Sequence, residues 1–339
     1  MIQILHMATS GSQQQILAAA NILRAGGLVA FPTETVYGLG ADACNSAAVR
    51  RIYLAKGRPP SNPLIIHVAS ADEIPLYADL TRAFDRAVVE QRIRTLSVFW
   101  PGPLSVVLPA SERIAKEALA GGDTVAIRIP NHPVALALLA AFKGPIAGPS
   151  ANPSNYVSPT TADHVREGLG ERVDCILDGG PCEIGLESTV LSLVDSVPRI
   201  LRPGAVTREQ LEHALGCEVI PFSPDACDSA VPLPSPGLLA QHYAPRTRVV
   251  LRTALSSIQP LPKRVGVILF APATLPFEPA YTTVLSSSGN LNDVAAKLFA
   301  ALREHDHRDL DLIVVDTCEP VGLGEAIMDR LLRASATSI

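Results

Sequence analysis

The sequence predicts an α/β protein built as two units joined by a proline-rich connector. Three observations lead there. The 339 residues suit about two domains. Buried strand-like runs interleave with segments of helical period along the whole chain. Between 218 and 247 lie six prolines in 30 residues, Pro221, Pro224, Pro232, Pro234, Pro236 and Pro245, a semi-rigid connector.

Each element has a local reason. Ser12-x-x-Gln15 has the form of a capping box, and Ile16, Leu17, Ala20 and Leu23 then recur at helical spacing. Gly26-Gly27 ends that helix, and Leu28 to Phe31 reads as a buried strand. A helix over 47–55 and a strand over 64–68 follow, then strands over 104–108 and 124–129. Pro133 opens a helix to Phe142, in the first turn where its missing N–H costs nothing. Short strands fit 175–177 and 189–194, and a helix fits 207–215. Beyond the connector, strands over 248–252, 265–270, 282–285 and 312–316 alternate with helices over 291–303 and 322–333, the pattern of a small parallel sheet. The expected division is 1–217, connector 218–247, and 248–339.

Composition narrows the function. Apolar residues make up 47%, enough for a real core. Net charge is -5 and aromatics are 4%, which disfavours a basic nucleic-acid binder with stacking platforms. Six scattered cysteines form no C-x-x-C and read as reduced thiols. There is no apolar run of membrane-spanning length and no leader-like N-terminus, so a cytoplasmic protein without a membrane partner is expected. Proline is in excess, 29 of 339 residues or about 9% against a usual ~5%. Many of these prolines sit beside polar loops, where they stiffen the backbone.

Common signatures are missing. No P-loop and no H-E-x-x-H occur. Gly38-Leu39-Gly40-Ala41-Asp42-Ala43 has the letters of a dinucleotide fingerprint, but it does not directly follow the strand and has no acid about 20 residues on. His305-Asp306-His307 reads as the solvated end of a helix in preference to a metal stub. No Ser/His/Asp order stands out.

What remains is a set of polar loops at strand ends, where open α/β sheets bind ligands. Thr33-Glu34-Thr35-Val36-Tyr37-Gly38 follows a strand, as a site or an ordinary strand-to-helix turn. Lys56-Gly57-Arg58-Pro59-Pro60-Ser61-Asn62-Pro63 puts two cations on a stiff loop, suited to an anion, in a chain with only five lysines. Arg128 lies inside an apolar strand and needs a carboxylate, from the protein or a ligand. Gly148-Pro149-Ser150-Ala151-Asn152 and Glu187-Ser188-Thr189 complete the group.

These motifs, with Asn62-Pro63-Leu64-Ile65, His67 and Arg202-Pro203-Gly204, resemble the YrdC-like family of threonylcarbamoyl-AMP synthases over roughly residues 10–210. Pro234-Ser235-Pro236-Gly237 and His242-Tyr243-Ala244-Pro245 resemble the linker of its long form, whose smaller C-terminal domain is Rossmann-like. The resemblance implies a twisted open-sheet N-terminal domain and a nucleotidyltransferase. It would join L-threonine, hydrogencarbonate and ATP, with Mg²⁺ accompanying the ATP, into threonylcarbamoyl-AMP and pyrophosphate. Other proteins would then transfer the threonylcarbamoyl group to adenosine 37 of tRNAs reading ANN codons. By the same resemblance Thr35, His67, Arg128, Gly148 and Ser188 are threonine contacts. Arg58, Asn62, Thr124, Ser150, Ser158, Arg202 and Tyr243 are nucleotide contacts, and Lys56 and Arg58 serve catalysis. Tyr243 and the linker would form a lid over the nucleotide. The alternatives are a binder of double-stranded RNA or tRNA, for which a weak contact is retained, and a hydrogenase-maturation carbamoyltransferase, disfavoured by the missing paired C-x-x-C.

Overall fold

A computed structural model describes residues 3–6, 12–223 and 243–336. Pro234-Ser235-Pro236-Gly237 and His242 lie outside the described residues, as does Cys227. In chain order come β1 (Gln3–His6), α1 (Ser12–Arg24), β2 (Val29–Phe31), β3 (Gly38–Asp42), α2 (Ser46–Lys56) and β4 (Ile65–His67). Then follow α3 (Ile74–Tyr77), α4 (Arg86–Leu96), β5 (Leu104–Pro109), β6 (Thr124–Arg128), α5 (Pro133–Phe142) and β7 (Ile146–Ala147). α6 (Ala162–Leu169), β8 (Cys175–Asp178), β9 (Thr189–Ser192), β10 (Arg199–Arg202) and α7 (Arg208–Leu215) precede the connector. β11 (Val249–Leu251), β12 (Val265–Leu269), β13 (Tyr281–Val284), α8 (Leu291–Asp306), β14 (Leu312–Val315) and α9 (Leu323–Ser335) follow it.

The strands form two sheets. The larger is mixed, in the order β1-β8-β2-β3-β7-β4-β6-β5-β9-β10. The smaller, β11-β14-β12-β13, is parallel throughout, as the strand–helix alternation predicts. Helix ends carry their own stop signals. Asn45 Oδ1 accepts from the Ala47 and Ala48 amides at the start of α2, and Gly57 closes it in a left-handed conformation at φ 62°. Thr207 and Gln210 form a reciprocal capping box on α7.

One apolar core packs α2, α4 and α7 against one face of the large sheet, through Ile52, Val89, Ile66, Val106, Ile127 and Leu211. A second packs α1 and α5 on the other face, around Leu23, Phe31 and Leu138. A third is shared. Val36, Val157 and Leu186 of the first part pack with Tyr243, Leu298, Phe299 and Ile327 of the second. The loops that carry the polar motifs therefore rest on the C-terminal helices.

Two sequence expectations change. The strand-to-helix turn offered as one alternative for Thr33 to Gly38 is not found: Gly38–Asp42 is strand β3, antiparallel to β2. Its glycines fit because a Cβ at Gly38 or Gly40 would come within 3.0 Å of the Phe31 ring. The end of α8 is not solvated: His305 and Asp306 are buried. Asp306 accepts from the Thr247 amide (2.7 Å), the Tyr156 hydroxyl (2.8 Å) and Arg246 Nε (3.1 Å), tying the second part to the first.

A cavity at the ends of two parallel strands

β4 and β6 are parallel neighbours, and their register sets His67 opposite Arg128 at their C-terminal ends. Period-2 alternation then turns both side chains to one face of the sheet. They line a cavity with about 460 Å³ of non-protein space, open solvent at the mouth included. Thr35, Val36, Arg58, Ile65, Gly148, Pro149, Ser150, Glu187, Ser188, Arg202 and Tyr243 complete the wall.

The loop after β2 is shaped by Thr33. Its hydroxyl donates to the Val36 carbonyl (2.7 Å), lies 2.8 Å from Thr35 Oγ1 and accepts from the Val36 amide (3.2 Å). The Tyr37 and Leu39 amides donate to the Pro159 and Pro149 carbonyls, which straps this loop to the proline-rich one opposite. Gly148 is required by close approach: a Cβ there would fall 2.9 Å from His67 Nδ1 and 3.2 Å from Phe31 Cζ.

Three arginines converge. Arg58 donates from Nε to the Asn62 carbonyl (3.1 Å) and from Nη2 to the Pro63 carbonyl (2.9 Å), so its own loop orients it. Burial pulls its pKa down to about 10, which still leaves it charged at neutral pH. Arg202 grips Ser188, from Nη2 to the carbonyl (2.9 Å) and hydroxyl (3.2 Å). Arg128 donates from Nε to the Gly102 carbonyl (3.2 Å). Its Nη2 lies 2.8 Å from Glu34 Oε1, an ion pair with both side chains 4% exposed. The carboxylate that the buried Arg128 demands is thus supplied by the protein, from a residue given no role in the sequence reading.

His67 Nδ1 is buried with no hydrogen-bond partner among the described residues, and burial, reinforced by Arg128, pulls the imidazole pKa down to about 3. It faces the cavity neutral and can serve a ligand. The Asn62 side-chain amide, 1% exposed, likewise has no partner among the described residues, though it is outside the cavity lining.

The remaining expected residues stand elsewhere. Lys56 does not line the cavity; its Nζ donates to the Ser150 and Asn152 carbonyls, both at 2.5 Å, and fastens the loop from behind. Ser158 is also behind the wall, donating to Glu187 Oε1 at 2.5 Å. Thr124 opens β6, four residues and roughly 13 Å from Arg128 along the strand. Tyr243, by contrast, does line the cavity, fully buried and stacked on Phe299 at 5.5 Å between ring centroids. Glu187, quoted before only as part of a motif, is the sole carboxylate among the cavity-lining residues. Burial pushes its carboxyl up, but Arg330, Arg202 and the Ser158 hydroxyl outweigh that and hold it below the usual range.

Comparison with known proteins gives the family. Residues 21–204 match the Sua5/YciO/YrdC family, described as telomere recombination, and residues 206–336 match the threonylcarbamoyl-AMP synthase C-terminal domain. The chain is 41% identical over 336 residues to the threonylcarbamoyl-AMP synthase of Bacillus subtilis, covering 96% of this chain and 94% of that one. It is 39% identical over 338 residues to that of Pyrococcus abyssi, covering 96% and 95%. The crystal structure of P. abyssi Sua5 complexed with L-threonine aligns with a TM-score of 0.88 at 37% identity, over 99% of this chain and 97% of that one. With both halves matched in order and nearly the full length aligned, the chain belongs to the threonylcarbamoyl-AMP synthase family, in its two-domain form.

Proposed function

We propose that this cavity joins L-threonine, hydrogencarbonate and ATP into threonylcarbamoyl-AMP, releasing pyrophosphate. The convergence of Arg58, Arg128 and Arg202 with a neutral, unpartnered His67 on one cavity carries the reading. Hydrogencarbonate, ATP and the carbamate formed from threonine are anionic, and three guanidiniums offset their mutual repulsion.

The threonine amine takes up hydrogencarbonate with loss of water and becomes a carbamate. A carbamate oxygen then attacks the α-phosphorus of ATP, and pyrophosphate departs with the bonding pair. The substrate is its own nucleophile. The protein's work is to hold anions in line and cover developing charge. The cavity lining offers three guanidiniums and the Thr35, Ser150 and Ser188 hydroxyls for that work.

In this reading Arg128 meets the threonine carboxylate, and His67, Thr35 and Ser188 serve its hydroxyl and the new carbamate. Gly148 leaves the room that a side chain would fill. Arg58, Ser150 and Arg202 hold the phosphates, and Tyr243 walls the nucleotide. The unpartnered Asn62 amide supports a nucleotide contact as well. Lys56 and Ser158 act through the loops they brace. Thr124 is kept as a nucleotide contact only if the adenosine end reaches the start of β6.

The described residues include no cluster of three or more metal-ligating side chains, and Glu187 is already engaged by Ser158 and Arg330. A Mg²⁺ ion arriving with ATP would be carried by phosphate oxygens and water. The product is a mixed anhydride prone to hydrolysis, which favours prompt transfer of the threonylcarbamoyl group to tRNA by other proteins, and we place the reaction in the cytoplasm as part of this proposal. Among the described residues no helix is long and apolar enough to cross a membrane.

Pyrophosphate release, measured with threonine and bicarbonate omitted in turn, tests the reading. Release is expected only with both present. Release that needs neither, or none with both, would refute it.

A further inference from the structure

Arg330 lies on α9, in the half of the chain where the sequence shows no distinctive motif. It is among the largest fully buried side chains of the protein. Its Nε donates to Glu187 Oε2 (2.9 Å), Nη1 to Asp329 Oδ2 (2.6 Å) and Nη2 to the Pro203 carbonyl (2.9 Å). Its guanidinium carbon stands 5.2 Å from the centroid of the Tyr243 ring.

Three of these contacts lead to the cavity. Glu187 lines it and holds the Ser158 hydroxyl with its other oxygen. Pro203 follows Arg202, the residue that grips Ser188. Tyr243 is part of the wall. A planar fork with fixed donor directions can tie such groups together; a lysine cannot.

The charge matters as much as the geometry. Glu187 is a buried carboxylate at a cavity meant for anions. Unbalanced, it would either take up a proton or draw Arg202 away from an incoming phosphate. Arg202 on β10 and Tyr243 face Glu187 from the cavity side, Lys56 on α2 acts on it from behind the loop, and Arg330 faces it from α9, with Asp329 on the far side of Arg330. Burial lowers the Arg330 pKa, but Tyr243, Glu187 and Asp329 more than restore it, so the cation persists.

We propose that Arg330 is a positioning residue for adenylate formation: from α9 it supplies the counter-ion that keeps Glu187 ionised, fixes Ser158, and leaves Arg202 for the phosphates. The proposal rests on the function proposed above and makes the C-terminal part a member of the site. Arg330 touches no reactant; it acts through Glu187 and the Pro203 carbonyl.

The test is pH-dependent steady-state kinetics of the full chain, comparing wild type, Arg330→Met, Arg330→Lys and the Arg330→Met/Glu187→Gln double variant, with thermal melts to establish folding. Arg330→Met should lower kcat/KM for ATP by at least about tenfold at neutral pH. It should also move the acid limb of the profile up by about one pH unit or more, because burial then governs Glu187. The double variant should lose that displaced limb and recover several-fold. Arg330→Lys should keep the limb in place and raise KM for ATP. A folded Arg330→Met with the wild-type profile, or a double variant no better than the single, overturns the proposal. If Arg330→Met does not fold, Arg330→Lys with an unchanged KM for ATP overturns it. Wild type that releases no pyrophosphate with all substrates present refutes the proposed function instead.

Discussion

Arg128 Nη2 lies 2.8 Å from Glu34 Oε1 inside the cavity wall, and neither atom has a hydrogen-bond partner among the described residues. The contact is a close ion pair out of line for a hydrogen bond. Each atom keeps unused capacity, and Arg128 can add a ligand carboxylate without surrendering Glu34. Glu34 is further fixed by the Asn131 amide, which donates to Oε2 at 3.0 Å.

Removing one partner of this pair should therefore do two separable things. Arg128→Ala leaves Glu34 buried and unpaired and should lower unfolding free energy by about 3–5 kcal/mol. Arg128→Met with Glu34→Gln removes both charges and should regain most of that stability without regaining threonine dependence. Denaturant melts and threonine titrations on both variants check this. Loss of ATP binding with threonine binding intact would contradict the role given to Arg128.

His67 gives a pH signature. Its folded pKa is about 3 and its unfolded value 6.5. Above pH 6.5 neither state holds the proton, and the residue adds no pH dependence. Between 6.5 and about 3 the unfolded chain binds the proton while the folded chain does not, so stability falls as pH falls. The slope is about 1.4 kcal/mol per pH unit within that window. Denaturant unfolding across it should be steeper in pH for wild type than for His67→Gln. Equal slopes would mean that the imidazole is not held neutral.

Lys56 separates bracing from catalysis. Lys56→Met strips the Ser150 and Asn152 carbonyls of their donor, at about 1–3 kcal/mol for each buried group. Melting temperature should fall and KM for ATP should rise, with a smaller change in kcat. A collapse of kcat with stability and KM unchanged would instead place the ammonium on the reacting phosphates.

Much of the site was legible because its parts are local. Thr33 to Gly38, the Arg58 loop, Gly148 to Asn152 and Glu187-Ser188 are short segments whose hydroxyls, cations and prolines show in the letters. The parts that were not legible depend on distance in sequence. Nothing around Glu34 marks it as the partner of Arg128, 94 residues away by numbering, until β2 and β6 are placed in one sheet. Arg330 lies in an amphipathic helix whose pattern says only that one face is buried; that the buried face carries a charge to Glu187 is a tertiary fact. The helix over Arg86–Leu96 escaped notice because only Val89 and Leu96 are buried, too few to set a period. Strand β3 hid behind glycines, which have low strand propensity but are needed against Phe31. Of the expected lid, the Tyr243 ring is packed on Phe299 in the C-terminal core, and linker residues 224–242 lie outside the described residues.

The most direct measurement follows the carbon. Incubating the protein with labelled bicarbonate, L-threonine and ATP, then resolving nucleotides by mass, asks whether bicarbonate carbon enters an adenylate that also contains threonine. The account predicts one labelled threonylcarbamoyl-AMP, formed in step with pyrophosphate and lost when threonine is withheld. An adenylate without the label, or label in a product without AMP, would contradict it.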